Sequence, residues 1–309
     1  MSLKNRGFEY RRRLGTEADD CRVIDYLVRR YPAFTKTEWL DRIKAERVLL
    51  DDIPVRHDQR MQSGQVLTWV RPPWEEPDVP RSFAVLYRDE SLLAVAKPAG
   101  LPTLPGGGRF MDNTLMALVR LHFPGANPLH RLGRGTSGIV LFSLSQFATK
   151  KMFRAWNNRN VLKIYRALIS GSPQTDAFDV SHPIGTIPHR LLGNLYAATA
   201  EGKPSLSHVR VLERRETCSL VEVRIETGRP HQIRIHLSAA GFPLIGDPLY
   251  KTGGTPYPDS LALPSDQGYF LHNILLGFPH PDNGKWLEIH CMPPPVLRLR
   301  HESNPVPLF

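Results

Sequence analysis

Leu129-His130-Arg131-Leu132-Gly133-Arg134-Gly135-Thr136-Ser137-Gly138 is the stretch that decides how this chain is read. It holds one histidine, two arginines and three glycines in ten residues, and no acid. Arginines in such a segment suit it to hold phosphate, because guanidinium groups fix a polyanion without reading its sequence. Gly133 and Gly135 bring no side chain, so neither can supply covalent or acid–base chemistry. Helical patterns precede it at residues 113–122 and follow it at residues 146–157, which makes the stretch a connection between elements.

Outward from this loop, a chain of 309 residues that is 41% hydrophobic can bury one large core or two smaller ones, which excludes disorder along its whole length. Lys and Arg number 40 against 30 Asp and Glu, a formal charge of +10. Such a surface attracts polyanions with a salt-sensitive, sequence-independent affinity, although charge alone does not separate RNA from DNA or anionic lipid. No apolar run approaches the roughly 18 residues of a spanning helix, and residues 1–15 lack the apolar core of a secretory signal. The expectation is a cytoplasmic, monomeric protein with no membrane partner. Cys21, Cys218 and Cys291 are odd in number and far apart, which points to reduced thiols and to no metal site.

Four regions follow along the chain. Residues 1–21 read as a loose basic segment carrying Arg11, Arg12 and Arg13. Residues 22–71 read as a small α/β module: Val23, Ile24, Leu27 and Val28 recur at helical spacing, and Thr35-Lys36-Thr37-Glu38 caps a second helix with Trp39, Leu40 and Ile43. Strands are expected at Val48-Leu49-Leu50, at Ile53-Pro54-Val55 after an Asp51-Asp52 turn, and over residues 62–67. Residues 72–82 are a linker, stiff and exposed, because four prolines and three acids within residues 72–80 propagate neither helix nor central strand. Residues 83–309 alternate short apolar runs with Gly and Pro turns, the pattern of a mixed, largely antiparallel sheet with inserted helices.

Individual side chains within that last region are suggestive on their own. If Thr227 to Leu237 is extended, Gln232, Arg234 and His236 share one face while His231, Ile233, Ile235 and Leu237 share the other. That separation argues against a paired histidine metal site and puts Arg234 on a polar face fronting a cleft. Tyr165, between Ile164 and Leu168 in a strand, reads as a half-buried aromatic with a wet hydroxyl. Lys97 reads equally as a solvated turn residue or a phosphate contact.

Taken together, His130 to Gly138 resembles the His-Arg-Leu-Asp-x-x-Thr-Ser-Gly motif of the RluA-type pseudouridine synthases. Four further segments agree with it in order: Tyr87 to Leu101 with its Lys97-Pro98-Ala99-Gly100 turn, Lys163-Ile164-Tyr165-Arg166-Ala167, Thr227-Gly228-Arg229-Pro230-His231-Gln232-Ile233-Arg234, and Gly246-Asp247-Pro248-Leu249-Tyr250 with Leu271-His272. Five motifs in register carry far more weight than one. The resemblance implies an α+β pseudouridine synthase fold with a central cleft, and residues 22–71 resemble the S4-type RNA-binding domain that often precedes it. It implies RNA as partner, rRNA or tRNA, and a reaction without cofactor in which uracil leaves the ribose at N1, turns and rejoins through C5.

The same resemblance assigns roles. Tyr165 would stack on the flipped uracil, recovering part of the cost of extruding it. His130, Arg131, Arg134, Thr136 and Arg229 would contact RNA. Gly133 stands where the family has its nucleophilic Asp, and Arg234 matches the arginine that pairs with that carboxylate. A buried Arg234 then needs another anion, since an unpaired buried cation costs several kcal/mol. Asp112 is the first candidate, ahead of an RNA phosphate or solvent, and Asp247 the less expected one. Two functions remain open on sequence: an active synthase with its acid recruited from elsewhere, or a catalytically inactive RNA-binding protein on the synthase fold.

Overall fold

The structure is a computed structural model describing residues 4–31, 34–106, 109–189 and 192–302. The chain divides into two compact units, Met1–Glu76 and Pro77–Phe309.

In the first unit the helices Val23–Arg30 and Lys36–Lys44 accompany an antiparallel sheet in the order Phe8–Arg13, Val66–Arg71, Val48–Leu50, Ile53–Pro54. Thr35 and Glu38 form the reciprocal capping box read from the sequence. Asp51 and Asp52 both take positive φ, 51° and 66°, the conformation a two-residue hairpin turn requires. Trp39, Leu27 and Val23 are fully enclosed at its centre.

Three expectations need correction here. The basic segment is not loose: Phe8–Arg13 pairs along its length with Val66–Arg71, and Tyr10 stacks on Trp69 at 4.9 Å, leaving the arginines outside. The strand expected over residues 62–67 begins at Val66, because Gly64 at φ +90° makes a turn first. The first half of the linker is not an exposed tether. Asn5 donates to the Trp74 carbonyl at 3.0 Å and to Glu76 at 2.6 Å, and Glu76 is buried, so these residues belong to the first unit.

The second unit is built on a ten-stranded sheet. Its path runs Ala177–Val180, Ser207–Arg214, Cys218–Ile225, Leu162–Ser170, Leu271–Pro279, Ser137–Ser143, Leu92–Lys97, Ala84–Arg88. Neighbours are antiparallel except at one seam, where His272 and Asn273 lie parallel to Ser137 and Gly138. Strand alternation feeds two cores. Leu93, Val95, Val140 and Phe142 join the larger cluster, whereas Leu92, Ala94, Ile139 and Leu141 face a second one beneath the helix Gln146–Asn157. The helices Leu115–His122 and Gln146–Asn157 stand where the periodicity placed them, capped by Thr114 and Ser145.

The largest departure is at residues 227–237. The chain is not extended there: the strand Cys218–Ile225 ends, and Gln232–Ala239 is a helix whose first seven residues are all buried. A helix enclosed on every side shows no polar face, so Ile-x-Ile-x-Leu reads in sequence like a strand. The opposite-face argument for His231 and His236 therefore falls. His231 sits at the helix N-cap with φ +56°, and His236 is sealed inside between Ser207 and the His182 carbonyl.

Candidate active site

Thr136-Ser137-Gly138 opens the strand at the parallel seam, and each residue has a distinct task there. Gly138 takes φ +113°, and a Cβ on it would lie 2.3 Å from the Asn273 carbonyl oxygen, so only glycine permits this approach. Ser137 hydrogen-bonds His272 Nδ1 at 2.8 Å. Thr136 hydrogen-bonds the Tyr269 hydroxyl at 3.3 Å. Two residues of parallel pairing thus bring Tyr269 and Leu271 beside the Gly133 loop.

The loop itself is held by its backbone. Thr103 accepts the Leu132 N–H at 3.2 Å and donates to the Leu132 carbonyl at 2.9 Å. Lys97 is not a solvated turn residue: it is 2% exposed, and its ammonium donates to the carbonyls of Pro98, Leu101 and Arg134. Arg134 returns a bond from Nε to the Gly100 carbonyl at 3.0 Å. The Lys-Pro-x-Gly turn is in this way a brace for the loop.

A cavity of about 110 Å³ opens against Gly133. Arg131, Thr136, Tyr165, Arg229 and Arg234 line it, as do His231, Gln232 and Tyr269, over an apolar floor that includes Ile225 and Leu271. Of the residues expected from sequence, Gly133, Tyr165, Arg234, Arg131, Thr136 and Arg229 meet here. His130 does not: its Nε2 accepts the Leu141 N–H, its ring stacks on Trp156 at 5.4 Å, and burial pushes its pKa down to about 4. Arg134 lies over Phe110 at 4.8 Å and outside the cavity lining.

Asp112 is exposed and outside the lining, so it is not the anion opposite Arg234. That anion is Asp247. Its two oxygens receive Arg234 Nε at 2.7 Å and Nη2 at 2.8 Å, in a pair whose side chains are 3% and 1% exposed. The Gly-Asp-Pro turn aims the carboxylate, with Gly246 at φ +75° and the backbone N–H groups of Leu249 and Tyr250 donating to the same Oδ1. Arg234 Nη1 reaches the Pro264 carbonyl at 2.9 Å. Burial pulls the guanidinium pKa down, and the bonds and charge of Asp247 together with the neighbouring Tyr269 and Tyr250 raise it above its ordinary value. Sequence reasoning set Asp247 aside because its turn is also present in relatives that keep their own Asp, and no spacing signal links residues 234 and 247.

Arg229 carries the unmet demand instead. Its Nε is buried without a hydrogen-bond partner, while Nη2 makes a 3.4 Å bond to the Pro204 carbonyl. Gln232 fixes the preceding turn: its Oε1 accepts from Thr227 Oγ1 and Arg229 N, and its Nε2 donates to the Leu206 carbonyl and Ser207. His231 is neutral, its pKa pushed to about 3 by burial and then by Arg234. Because Tyr250 Oη donates to the Tyr196 carbonyl, it accepts from His231 Nδ1 at 2.7 Å, and Nε2 of His231 is left as a lone-pair acceptor.

Tyr269 was not singled out by sequence. It is 5% exposed, and the Arg234 guanidinium sits 4.4 Å from its ring centroid. A Cβ on Gly135 would meet its ring at 2.9 Å, and a Cβ on Gly133 would stand 3.1 Å from its hydroxyl. Both glycines therefore lie directly under this tyrosine.

The arrangement is a small, basic, aromatic-walled cavity. The family model for RNA pseudouridylate synthase matches residues 91–239, the span from the second strand of the unit to the end of the Arg234 helix. An uncharacterised RNA pseudouridine synthase of Synechocystis is 41% identical over 89% of this chain and 95% of its own length. RNA pseudouridine synthase 5 of Arabidopsis thaliana is 37% identical over 86% of both chains. Among solved structures, human RNA pseudouridylate synthase domain containing 1 superposes with a TM-score of 0.57 at 28% identity, over 72% of this chain and 89% of its own. On the family-model match and on relatives 41% and 37% identical over most of its length, the chain belongs to the RNA pseudouridine synthase family.

Proposed function

We propose that this protein isomerises uridine to pseudouridine in structured RNA, rRNA or tRNA, and does so without the aspartate its family uses at position 133. The observation that carries the reading is the cavity: Tyr165 offers a ring for the flipped base, Arg131 and the unsatisfied Arg229 face the same space, and Arg234 is held rigid by Asp247. A basic pocket with an aromatic wall suits a flipped base and its flanking phosphates. The first unit, read as an S4-like RNA-binding domain, adds a strand whose Arg11, Arg12 and Arg13 are all exposed. Their surface pairs with Asp52 and Glu17 are weak competitors for phosphate.

A second reading is favoured by one specific observation. No Asp or Glu stands among the described residues that line the cavity, as a catalytically inactive RNA-binding protein on this fold would have it. Purified protein incubated with rRNA and tRNA from cells lacking it, followed by nucleoside analysis, separates the two. New pseudouridine in either fraction is expected. Tight, salt-sensitive RNA binding with no new pseudouridine establishes the second reading instead.

A further inference from the structure

Pseudouridine formation requires a group that engages C1′ while the N1–C1′ bond breaks, and Gly133 offers none. The described cavity lining contains no carboxylate, and Asp247 has both oxygens committed to Arg234 and the adjoining backbone. The nucleophilic atoms that remain are three hydroxyls and His231 Nε2. Thr136 is an aliphatic alcohol, far less acidic than a phenol. Tyr165 places no atom within 4 Å of where a Cβ on residue 133 would stand. His231 is committed at Nδ1 to Tyr250 and is a poor base at a pKa of about 3.

Tyr269 differs from these in three ways. Its hydroxyl is 3.1 Å from where a Cβ on residue 133 would stand, little more than the reach of an aspartate carboxyl. Its ring lies under the Arg234 guanidinium at 4.4 Å, a cation–π contact that fixes the ring beside the Gly133 loop. Its hydroxyl also exchanges a hydrogen bond with Thr136. Tyrosine is a known substitute for a carboxylate at an anomeric carbon in glycoside chemistry.

We propose that Tyr269 takes the place of the missing aspartate, its phenolic oxygen standing where that carboxylate would act on C1′ of the target uridine. The assignment rests on the synthase reading above. Tyr269 Oη bonds to C1′ as the N1–C1′ bond breaks, and the bonding pair and the phenolic proton pass to the departing uracil. After the base turns, C5 bonds to C1′, the C1′–Oη bond breaks back onto the oxygen, and Oη takes the proton from C5. Atoms and charge balance with no further reactant. Gly133 and Gly135 are then the counterpart of Tyr269: a Cβ at either site collides with or crowds the ring that performs the step.

The test uses [5-3H]uridine-labelled RNA from cells lacking the protein, and reads tritium release by the parent, by Tyr269→Phe, and by Tyr269→Phe combined with Gly133→Asp. Phenylalanine keeps the ring over Gly135 and removes the atom that crowds residue 133, so the fold is retained and an aspartate is given room. Release should fall at least about 100-fold in Tyr269→Phe, a loss of one catalytic interaction, with unchanged thermal midpoint and RNA affinity, and return in the double variant. Release within threefold of the parent from Tyr269→Phe overturns the assignment, and so does a loss that Gly133→Asp does not repair. A parent that releases no tritium overturns the synthase reading itself, a result seen before any variant is compared.

Discussion

Two arginines of the cavity differ in how their donors are met: those of Arg234 are all satisfied, whereas Arg229 keeps a buried Nε without a hydrogen-bond partner. Arg234 is enclosed, yet its three donor nitrogens are all used, two on Asp247 and one on the Pro264 carbonyl. Removing half of such a pair leaves the other charge buried without compensation, which costs about 3–5 kcal/mol. Asp247→Asn is therefore expected to lower the free energy of unfolding in urea by that amount. Asp112→Asn, on an exposed side chain, should change it by no more than about 0.5 kcal/mol. Equal effects from the two would show that the Arg234–Asp247 pair does not carry this stability. The division of labour was half legible in sequence. Arg234 announced itself by its motif, but its partner is fixed by a positive-φ glycine and two backbone donors, none of which has a spacing that can be read in advance.

Elements with one buried face were legible, and those buried all round were not. The helices Val23–Arg30, Lys36–Lys44, Leu115–His122 and Gln146–Asn157 show amphipathic spacing, the last three with a capping side chain as well, and they form where that spacing placed them. The helix Gln232–Ala239 has neither polar face nor capping side chain, and its N-cap is a left-handed histidine. The parallel seam was equally silent, because it joins residues 135 apart and covers two residue pairs. Its dependence on Gly138 gives a sharp expectation. Gly138→Ala must accommodate a Cβ 2.3 Å from a carbonyl oxygen at φ +113°, and the seam cannot close around it. Soluble yield and thermal midpoint should both collapse. Gly228→Ala meets no atom within 4 Å and serves as the control, with a midpoint within a few degrees of the parent. A folded, stable Gly138→Ala would mean the seam tolerates more spacing than its geometry allows.

Across the whole molecule, acid acts through histidines. Burial pushes the pKa of His231 to about 3 and those of His130, His236 and His272 to about 4, against an ordinary value of 6.5. Between those limits the unfolded chain binds more protons than the folded one, so stability rises with pH and is lost as pH falls from 6.5 toward 4. Each unit of displacement is worth about 1.4 kcal/mol per group. The urea midpoint should drop already between pH 6.5 and 5.5, a range where ordinary carboxylates stay largely ionised, and a flat midpoint there would contradict neutral burial of these rings. The mixed sheet was readable from the chain, since the recurring short strands mark it. The linker's first half was misjudged because a buried Glu76 held by Asn5 has no signature in composition.

The seam between Ser137 and His272 also dictates when the protein becomes competent during its own synthesis. Strands up to residue 225 can pair as they leave the ribosome, and the arginine-bearing loop can brace itself on Lys97. Tyr269 and Leu271 then arrive with the strand that closes the sheet, after most of the chain has been made. Closing a loop of that length carries an entropic cost that only the finished seam offsets. A nascent chain can thus expose its arginine-bearing loop before the Tyr269 wall of the cavity exists, and the cavity is complete only once Leu271–Pro279 has paired at the seam.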